Sequence, residues 1–159
     1  MNAPHFTLTA VEPTSRASLL LTFADGAAYE VNLVEVIQKH PLLAPLKVQE
    51  TFETARLGEF CDTVCWADDD NLELASDNLR AMGVEQAGGV SHEFIWRWMY
   101  EHDLSLDAAA AALGMSRRML AYYRSGAKPV PRTVALACLG WAALKKRRSS
   151  KPLPIPLAA

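Results

Sequence analysis

The chain has 159 residues, 50% hydrophobic and 21% charged, a composition typical of a globular protein with one ordinary domain or two small ones. No apolar run approaches the roughly 20 residues of a membrane helix, and the first residues lack a signal-peptide pattern, so we expect a cytoplasmic protein with no membrane partner. The net charge of −2 conceals an asymmetry, because residues 1–88 carry five basic and 14 acidic residues, whereas residues 89–159 carry 11 basic and four acidic ones. These charges of −9 and +7 predict two domains with different partners, and the basic one suits a polyanion.

The first half predicts a small α+β domain over residues 1–82, with a small antiparallel sheet and short helices. Three β-type segments come first, with a hairpin turn at Asp25-Gly26 between the last two. A short helix, a helical turn, another strand and a final helix capped by Ser76 follow. In chain order these elements are predicted at residues 6–11, 18–23, 29–33, 33–39, 51–55, 59–66 and 77–82.

The segment 83–89 contains three glycines and little that could be buried, which predicts a linker between two domains. Beyond it the pattern changes to helices separated by short turns, and we assign residues 90–148 to a second, all-α domain. Three prolines in six residues favour an extended tail over residues 149–159.

The most informative segment predicts two short helices joined by a sharp turn. Ser105 can cap a helix over residues 106–113, and Gly114 suits the left-handed turn that ends it. Ser116 can cap a second helix that begins at Arg117, which completes the helix-turn-helix layout. Apolar residues at helical spacing occupy one face of the second helix. The opposite face carries Arg117, Arg118, Ala121, Tyr122 and Arg124.

This segment resembles the helix-turn-helix family of phage repressors and Xre-type regulators, over residues 94–144. A small residue, a glycine, an apolar residue and a serine stand at the family's spacing, as Ala110, Gly114, Met115 and Ser116. The resemblance implies a lambda-repressor-like domain whose second motif helix reads the major groove. It implies that Ser116, Arg117, Arg118, Ala121 and Tyr122 face DNA and that Ser105, Lys128 and Arg132 lie near phosphates.

Two positions depart from the family pattern. Leu106 stands where members often have a glutamine that contacts phosphate, so that contact is in doubt. Arg124 replaces the usual acidic residue and can supply a phosphate contact instead. Arginine also suits base readout, because a good bidentate pair with guanine gives about 1–3 kcal/mol of discrimination. The alternative is that Arg117 and Arg118 only form part of a solvent-exposed polar surface.

Helices on either side of the motif predict further contacts. The aromatic residues of 94–100 occupy too many faces for one core stripe, so some are expected to pack against the acidic domain or a second subunit. Residues 132–144 are apolar around most of the helix circumference, which predicts burial in the core or in a dimer. A homodimer would suit paired DNA half-sites about one helical turn apart.

The first half also resembles a small bacterial domain family of unknown function, over residues 6–82. The resemblance rests on residues 19–26, 42–46, 64–66 and Phe52. Members of that family often stand alone or beside toxin-like proteins, which implies a protein-binding or regulatory role. The whole chain therefore resembles a two-domain DNA-binding protein that joins such a domain to a helix-turn-helix domain.

No residue pattern predicts a metal, a cofactor or catalysis. The chain has three cysteines, which cannot all form internal disulfides, at positions Cys61, Cys65 and Cys138. The first two lack the further ligands of a structural zinc site. The acidic turn at residues 68–71 lacks the alternating ligands of a calcium loop. No nucleophile with a nearby base, and no paired carboxylates, can be assembled from local spacing, so we expect no enzymatic activity.

The sequence therefore predicts a bacterial-type transcriptional regulator that binds double-stranded DNA, with an acidic domain that senses a ligand or contacts a protein. The main alternative is an antitoxin-like protein whose acidic domain neutralises a toxin. A second alternative is an acidic domain that mimics DNA and occupies the basic domain of its own chain.

Overall fold

The computed structural model describes residues 3–147 and divides the chain into two compact units. We call Met1–Gly88 the acidic unit and Gly89–Ala159 the basic unit. The predicted tail, residues 149–159, lies outside the described residues. Within the part that is described, no helix is both long and apolar enough to cross a membrane. Strands and helices are both present, which confirms the predicted α+β character of the chain.

The acidic unit begins with an antiparallel sheet of three strands in the order β1 (Leu8–Pro13), β2 (Ser18–Phe23) and β3 (Ala28–Asn32). The bounds of β2 are those predicted, and its odd-numbered residues are buried, because alternate side chains of a strand face the same side. The first strand starts two residues later than predicted. Phe6 and Thr7 instead form a turn in which both N–H groups donate to the Ala3 carbonyl.

The middle of the acidic unit holds more elements than the sequence predicts. They are α1 (Val34–Lys39), a 3₁₀ helix (Pro41–Lys47), α2 (Gln49–Phe52), and a second antiparallel sheet of β4 (Arg56–Leu57), β5 (Thr63–Cys65) and β6 (Glu73–Ala75). The strand predicted at 59–66 is shorter, because Cys61 adopts a left-handed φ of 57° in a turn that precedes it. The helical turn predicted at 51–55 begins two residues earlier, at Gln49.

The last helix of the acidic unit, α3 (Ser76–Gln86), contradicts two predictions. Ser76 is its first residue rather than its cap, and its hydroxyl donates to the carbonyl of Phe6. The helix also continues into the predicted linker. Gly83 is buried there, and an added Cβ would lie 2.6 Å from Cβ of Tyr29. This glycine therefore permits close packing of α3 on β3, so the linker interpretation is wrong for residues 83–86.

The basic unit consists of α4 (His92–Glu101), α5 (Leu106–Leu113), α6 (Arg117–Arg124) and α7 (Arg132–Lys146) across its described residues. Its core includes the edge-to-face pair Trp98 and Trp141, with ring centres 5.5 Å apart, and the fully buried Leu120. Burial also raises the pKa of the Cys138 thiol to about 12. The helix α7 is less buried than its composition predicts, because Leu136 and Leu139 are both more than half exposed.

Candidate nucleic-acid interface

The ends of α5 and α6 are fixed by the side chains that the sequence singles out. The Ser105 hydroxyl accepts a hydrogen bond from the N–H of Ala108 at 3.1 Å, and the Ser116 hydroxyl accepts one from Met119 at 3.2 Å. Both serines therefore satisfy backbone donors that a helix leaves free at its start. Gly114 ends α5 with a left-handed φ of 65°, a conformation that costs glycine little. These caps, the bounds of α5 and the start of α6 are as predicted.

Small residues allow α5 and α6 to pack closely. Ala109 and Ala110 on α5 are buried, and so is Leu120 on α6. The chain also closes the turn itself, since the N–H of Met115 donates to the Ala110 carbonyl at 3.0 Å. With Leu120 held in the core, the opposite face of α6 is turned towards solvent.

That exposed face carries a compact group of cations around one aromatic ring, which we call the Tyr122 cluster (Arg118, Tyr122 and Lys128). Nε of Arg118 donates to the Tyr122 hydroxyl at 3.0 Å, and its guanidinium carbon lies 5.5 Å from the ring centre. Nζ of Lys128 lies 5.2 Å from the same ring centre. Within residues 89–147, neither cation forms an ion pair with a carboxylate. The ring thus lies beside two positive charges that have no carboxylate partner in the described part of the basic unit.

Arg117 is adjacent to the cluster but has an acidic partner. Its Nε lies 3.0 Å from Oδ1 of Asp107 on α5, and the two side chains are 65% and 76% exposed. An exposed pair of this kind contributes only about 0–1 kcal/mol, because water screens it. This pair was not predicted from the sequence, although Asp107 in the first turn of α5 was a signal for it.

Arg124 lies apart from the other predicted DNA-contacting residues of α6. Its guanidinium carbon is 4.6 Å from the ring centre of Trp96 on α4. At about 100° per residue, Arg124 is displaced by about 120° around α6 from Arg118. It therefore occupies the flank next to α4 rather than the exposed face.

The remaining predicted residues lie on α6 or at the starts of helices. Ala121 is half-buried on α6, and Ser105, Ser116 and Arg132 are exposed at the starts of α5, α6 and α7. The structure thus brings Arg118, Tyr122 and Lys128 together, with Arg117 and Ala121 beside them on α6. Within residues 89–147, neither Ser105 nor Arg132 forms a hydrogen bond, ion pair or ring contact with that group. Over the described residues, no cluster of three or more His, Cys, Asp or Glu side chains could hold a metal.

Among solved structures, the chain is similar over its whole length to a crystal structure described as a "putative DNA binding protein" from Nitrosomonas europaea. The two sequences are 43% identical, the match covers 100% of each chain, and the TM-score is 0.81. No protein-family model and no curated protein matches this chain. The resemblances of the two halves to a helix-turn-helix family and to a small bacterial family therefore stay predictions.

Proposed function

This chain belongs to the same family as the Nitrosomonas europaea protein, and we propose that it binds double-stranded DNA through the exposed face of α6. The observation that carries the proposal is the Tyr122 cluster, in which two cations are held on an exposed face without a carboxylate partner in the described part of the unit. Such a face suits a polyanion. The charge of +7 over residues 89–159 adds long-range attraction to phosphates.

In this proposal α5 and α6 form a helix-turn-helix of the lambda-repressor kind, with α6 in the major groove. The groove is about 12 Å wide and accepts one helix, and the N-terminal residues of a recognition helix contact base edges there. Arg118 would reach a guanine, with its guanidinium oriented by the Tyr122 hydroxyl. Lys128 and Arg132 would contact phosphates on either side.

Arg117 can join the interface by exchanging its partner. Its pair with Asp107 is exposed and contributes about 0–1 kcal/mol. A good arginine–guanine pair gives about 1–3 kcal/mol of discrimination. DNA can therefore compete with Asp107 for Arg117, and the ion pair would hold the side chain in place until DNA binds.

A homodimer would extend the interface to two half-sites. Leu136 and Leu139 are 56% and 55% exposed on α7, and beside them a Cβ on Gly140 would meet no atom within 4 Å. This open apolar strip supports packing of α7 against a second copy. Leu136→Glu should convert a dimer to a monomer in sedimentation velocity, whereas Ala137→Glu, which lies on another side of α7, should not. Identical sedimentation of both variants and the unchanged chain would refute this part of the proposal.

The biological role that we propose is transcriptional regulation by binding rather than by catalysis. The test is a titration of the full chain on genomic DNA fragments, at several salt concentrations, followed by fluorescence anisotropy. We expect one fragment to be preferred and to stay bound as salt rises, because phosphate contacts alone lose affinity steeply. Joint replacement Arg117→Ala and Arg118→Ala should abolish the preference, and an unchanged preference would reject the assignment.

A further inference from the structure

The acidic unit contains a pocket of about 480 Å³ between α1, the 3₁₀ helix, α2 and the turn that joins β1 to β2. Its inner wall includes the core residues Ile37, Leu46 and Phe52, which are at least 95% buried. Arg16 and Lys47, both exposed, also line it. The pocket therefore combines an apolar inner surface with two positive charges, and its volume is in the range of small-molecule sites.

The two cations of this pocket are unusual within the acidic unit. The unit has five basic residues, and three of them pair with carboxylates, as Lys39 with Glu35, Arg56 with Asp68 and Arg80 with Asp25. Over residues 3–88, Arg16 and Lys47 have no such partner, although the unit contains 14 acidic residues. None of those acidic residues lines the pocket. The two cations without a carboxylate partner over residues 3–88 thus line the same pocket, in a unit whose net charge is −9.

The hairpin turn that contains Arg16 fixes one side of the pocket. Arg16 and Ala17 both have positive φ, at 49° and 60°, in the turn between β1 and β2. A two-residue hairpin turn, closed here by the Ser18 N–H donating to the Ser15 carbonyl at 3.2 Å, requires these angles, and asparagine and glycine adopt them with less strain. The Ala17 carbonyl accepts the N–H of Leu33 at 2.8 Å, which anchors the strained turn beside α1.

We propose that this pocket binds a small organic anion with an apolar body. The carboxylate or phosphate of the ligand lies between Arg16 and Lys47, and its apolar part contacts Val34, which is 40% exposed, and the outer edges of Ile37 and Leu46. The surrounding negative charge of the unit repels anions in general. A ligand must therefore satisfy both the local cations and the apolar wall, which excludes simple inorganic anions as good ligands.

The test compares three probes of equal chain length, hexanoate, hexyl phosphate and hexan-1-ol, on the full chain without DNA. Chemical-shift titration of backbone amides gives each affinity and locates each probe. We expect an anionic probe to bind about three- to tenfold more tightly than the alcohol, as two exposed charge contacts allow. The tighter of hexanoate and hexyl phosphate identifies the preferred head group. Acetate and inorganic phosphate should bind more weakly than their six-carbon counterparts.

A variant with Arg16→Asn and Lys47→Gln removes both charges while keeping a residue that tolerates the turn at position 16. It should lower the affinity for the anionic probe to that for hexan-1-ol, with an unchanged circular dichroism spectrum. The matched control is Lys39→Gln, which removes a cation that does not line the pocket. The proposal would be overturned if neither anion bound, or if the alcohol bound as tightly as the anions. It would also be overturned by chemical-shift changes outside the pocket, or by an unchanged affinity for the anionic probe in the double variant.

Discussion

Each unit holds an arginine against an aromatic ring, and the two arginines have opposite surroundings. In the acidic unit, the side chain of Arg80 is 15% exposed, donates to both carboxylate oxygens of Asp25 at 2.7 and 3.0 Å, and lies 4.9 Å above the ring of Phe23. In the basic unit, Arg118 is exposed, and its hydrogen-bond partner is the neutral hydroxyl of Tyr122.

The contrast separates an arginine whose charge is compensated within the fold from one that we propose to contact DNA. Arg80 has a counter-charge, and it also donates to the carbonyl of His5 at 2.9 Å, so its charge is compensated within the fold. Arg118 is oriented by its neighbour but keeps its positive charge available. Both arginines lie against aromatic rings, so this contact alone does not separate them, whereas counter-charge and exposure do.

The largest effect on stability is expected when each of the two arginines is replaced by alanine and the two variants are compared. Arg80→Ala should lower the free energy of unfolding by about 2–3 kcal/mol, because it leaves Asp25 and the His5 carbonyl without their donor. Arg118→Ala should change it by less than about 0.5 kcal/mol, as is usual for an exposed side chain. Urea denaturation followed by circular dichroism measures both. Equal losses of stability in the two variants would remove the distinction between them.

A somewhat smaller loss of stability is expected when a methyl group is added at Gly83, where α3 packs closely on Tyr29. Gly83→Ala places a Cβ 2.6 Å from Cβ of Tyr29, whose ring lies 5.7 Å from the Arg80 guanidinium. Overpacking costs about 1–3 kcal/mol, partly offset by up to about 1 kcal/mol of helix propensity. We therefore expect a net loss of about 1–2 kcal/mol in urea denaturation. The control is Ala87→Gly at the end of α3, which should change stability by less than Gly83→Ala. Gly88→Ala is unsuitable as a control, because φ is positive at Gly88. A neutral Gly83→Ala would favour the linker interpretation again.

The cap of α6 allows stability and DNA affinity to be separated at one position. Ser116→Ala should lower the stability of the basic unit by about 1 kcal/mol, the usual cost of losing a cap. Ser116→Asp keeps an acceptor for the Met119 N–H and should retain that stability, but it adds a negative charge beside Arg117 and Arg118. Thermal unfolding and DNA titration of both variants should therefore give opposite rankings. Full DNA affinity in Ser116→Asp would argue against contact at the start of α6.

The smallest expected effect is the dependence of stability on pH that the Asp25–Arg80 pair causes. The hydrogen bond from Arg80 lowers the pKa of Asp25 below its ordinary 3.8, despite an opposing effect of burial. Because the folded pKa is below the unfolded one, the pair contributes stability above the unfolded pKa and loses it as pH falls through the folded pKa. Asp25→Asn should therefore be less stable than the unchanged chain at neutral pH, and the gap should narrow below about pH 4. Unfolding curves over that range test this, and a gap that widens with acid would contradict it.

The sequence predicted the α5–turn–α6 segment closely because its determinants are local. Ser105, Gly114 and Ser116 each act on backbone groups within about one helical turn, so spacing alone identifies them. The bounds of β2 were also predicted, since a short run of apolar and β-branched residues marks a strand directly.

The errors arose where a long-range contact decides the structure. Gly83 appeared to mark a flexible linker, but Tyr29, far away in sequence, requires its small size. Ser76 was predicted to be a cap, but its hydroxyl donates a hydrogen bond to the carbonyl of Phe6 instead. The position of Arg124 likewise depends on Trp96, which no local pattern connects to α6. Tertiary partners of this kind override local propensity and cannot be found from one segment alone.

The most direct test of the central claim is the salt dependence of DNA binding by the Tyr122 cluster. Full chains with and without the joint replacements Arg118→Ala and Lys128→Gln are titrated on the preferred fragment, with Arg56→Gln as the control from the acidic unit. The account predicts at least about a tenfold loss of affinity and a slope of log affinity against log salt that is smaller by about 1, for one lost phosphate contact. The same affinity and slope in the cluster variant, or equal losses in the control, would contradict it.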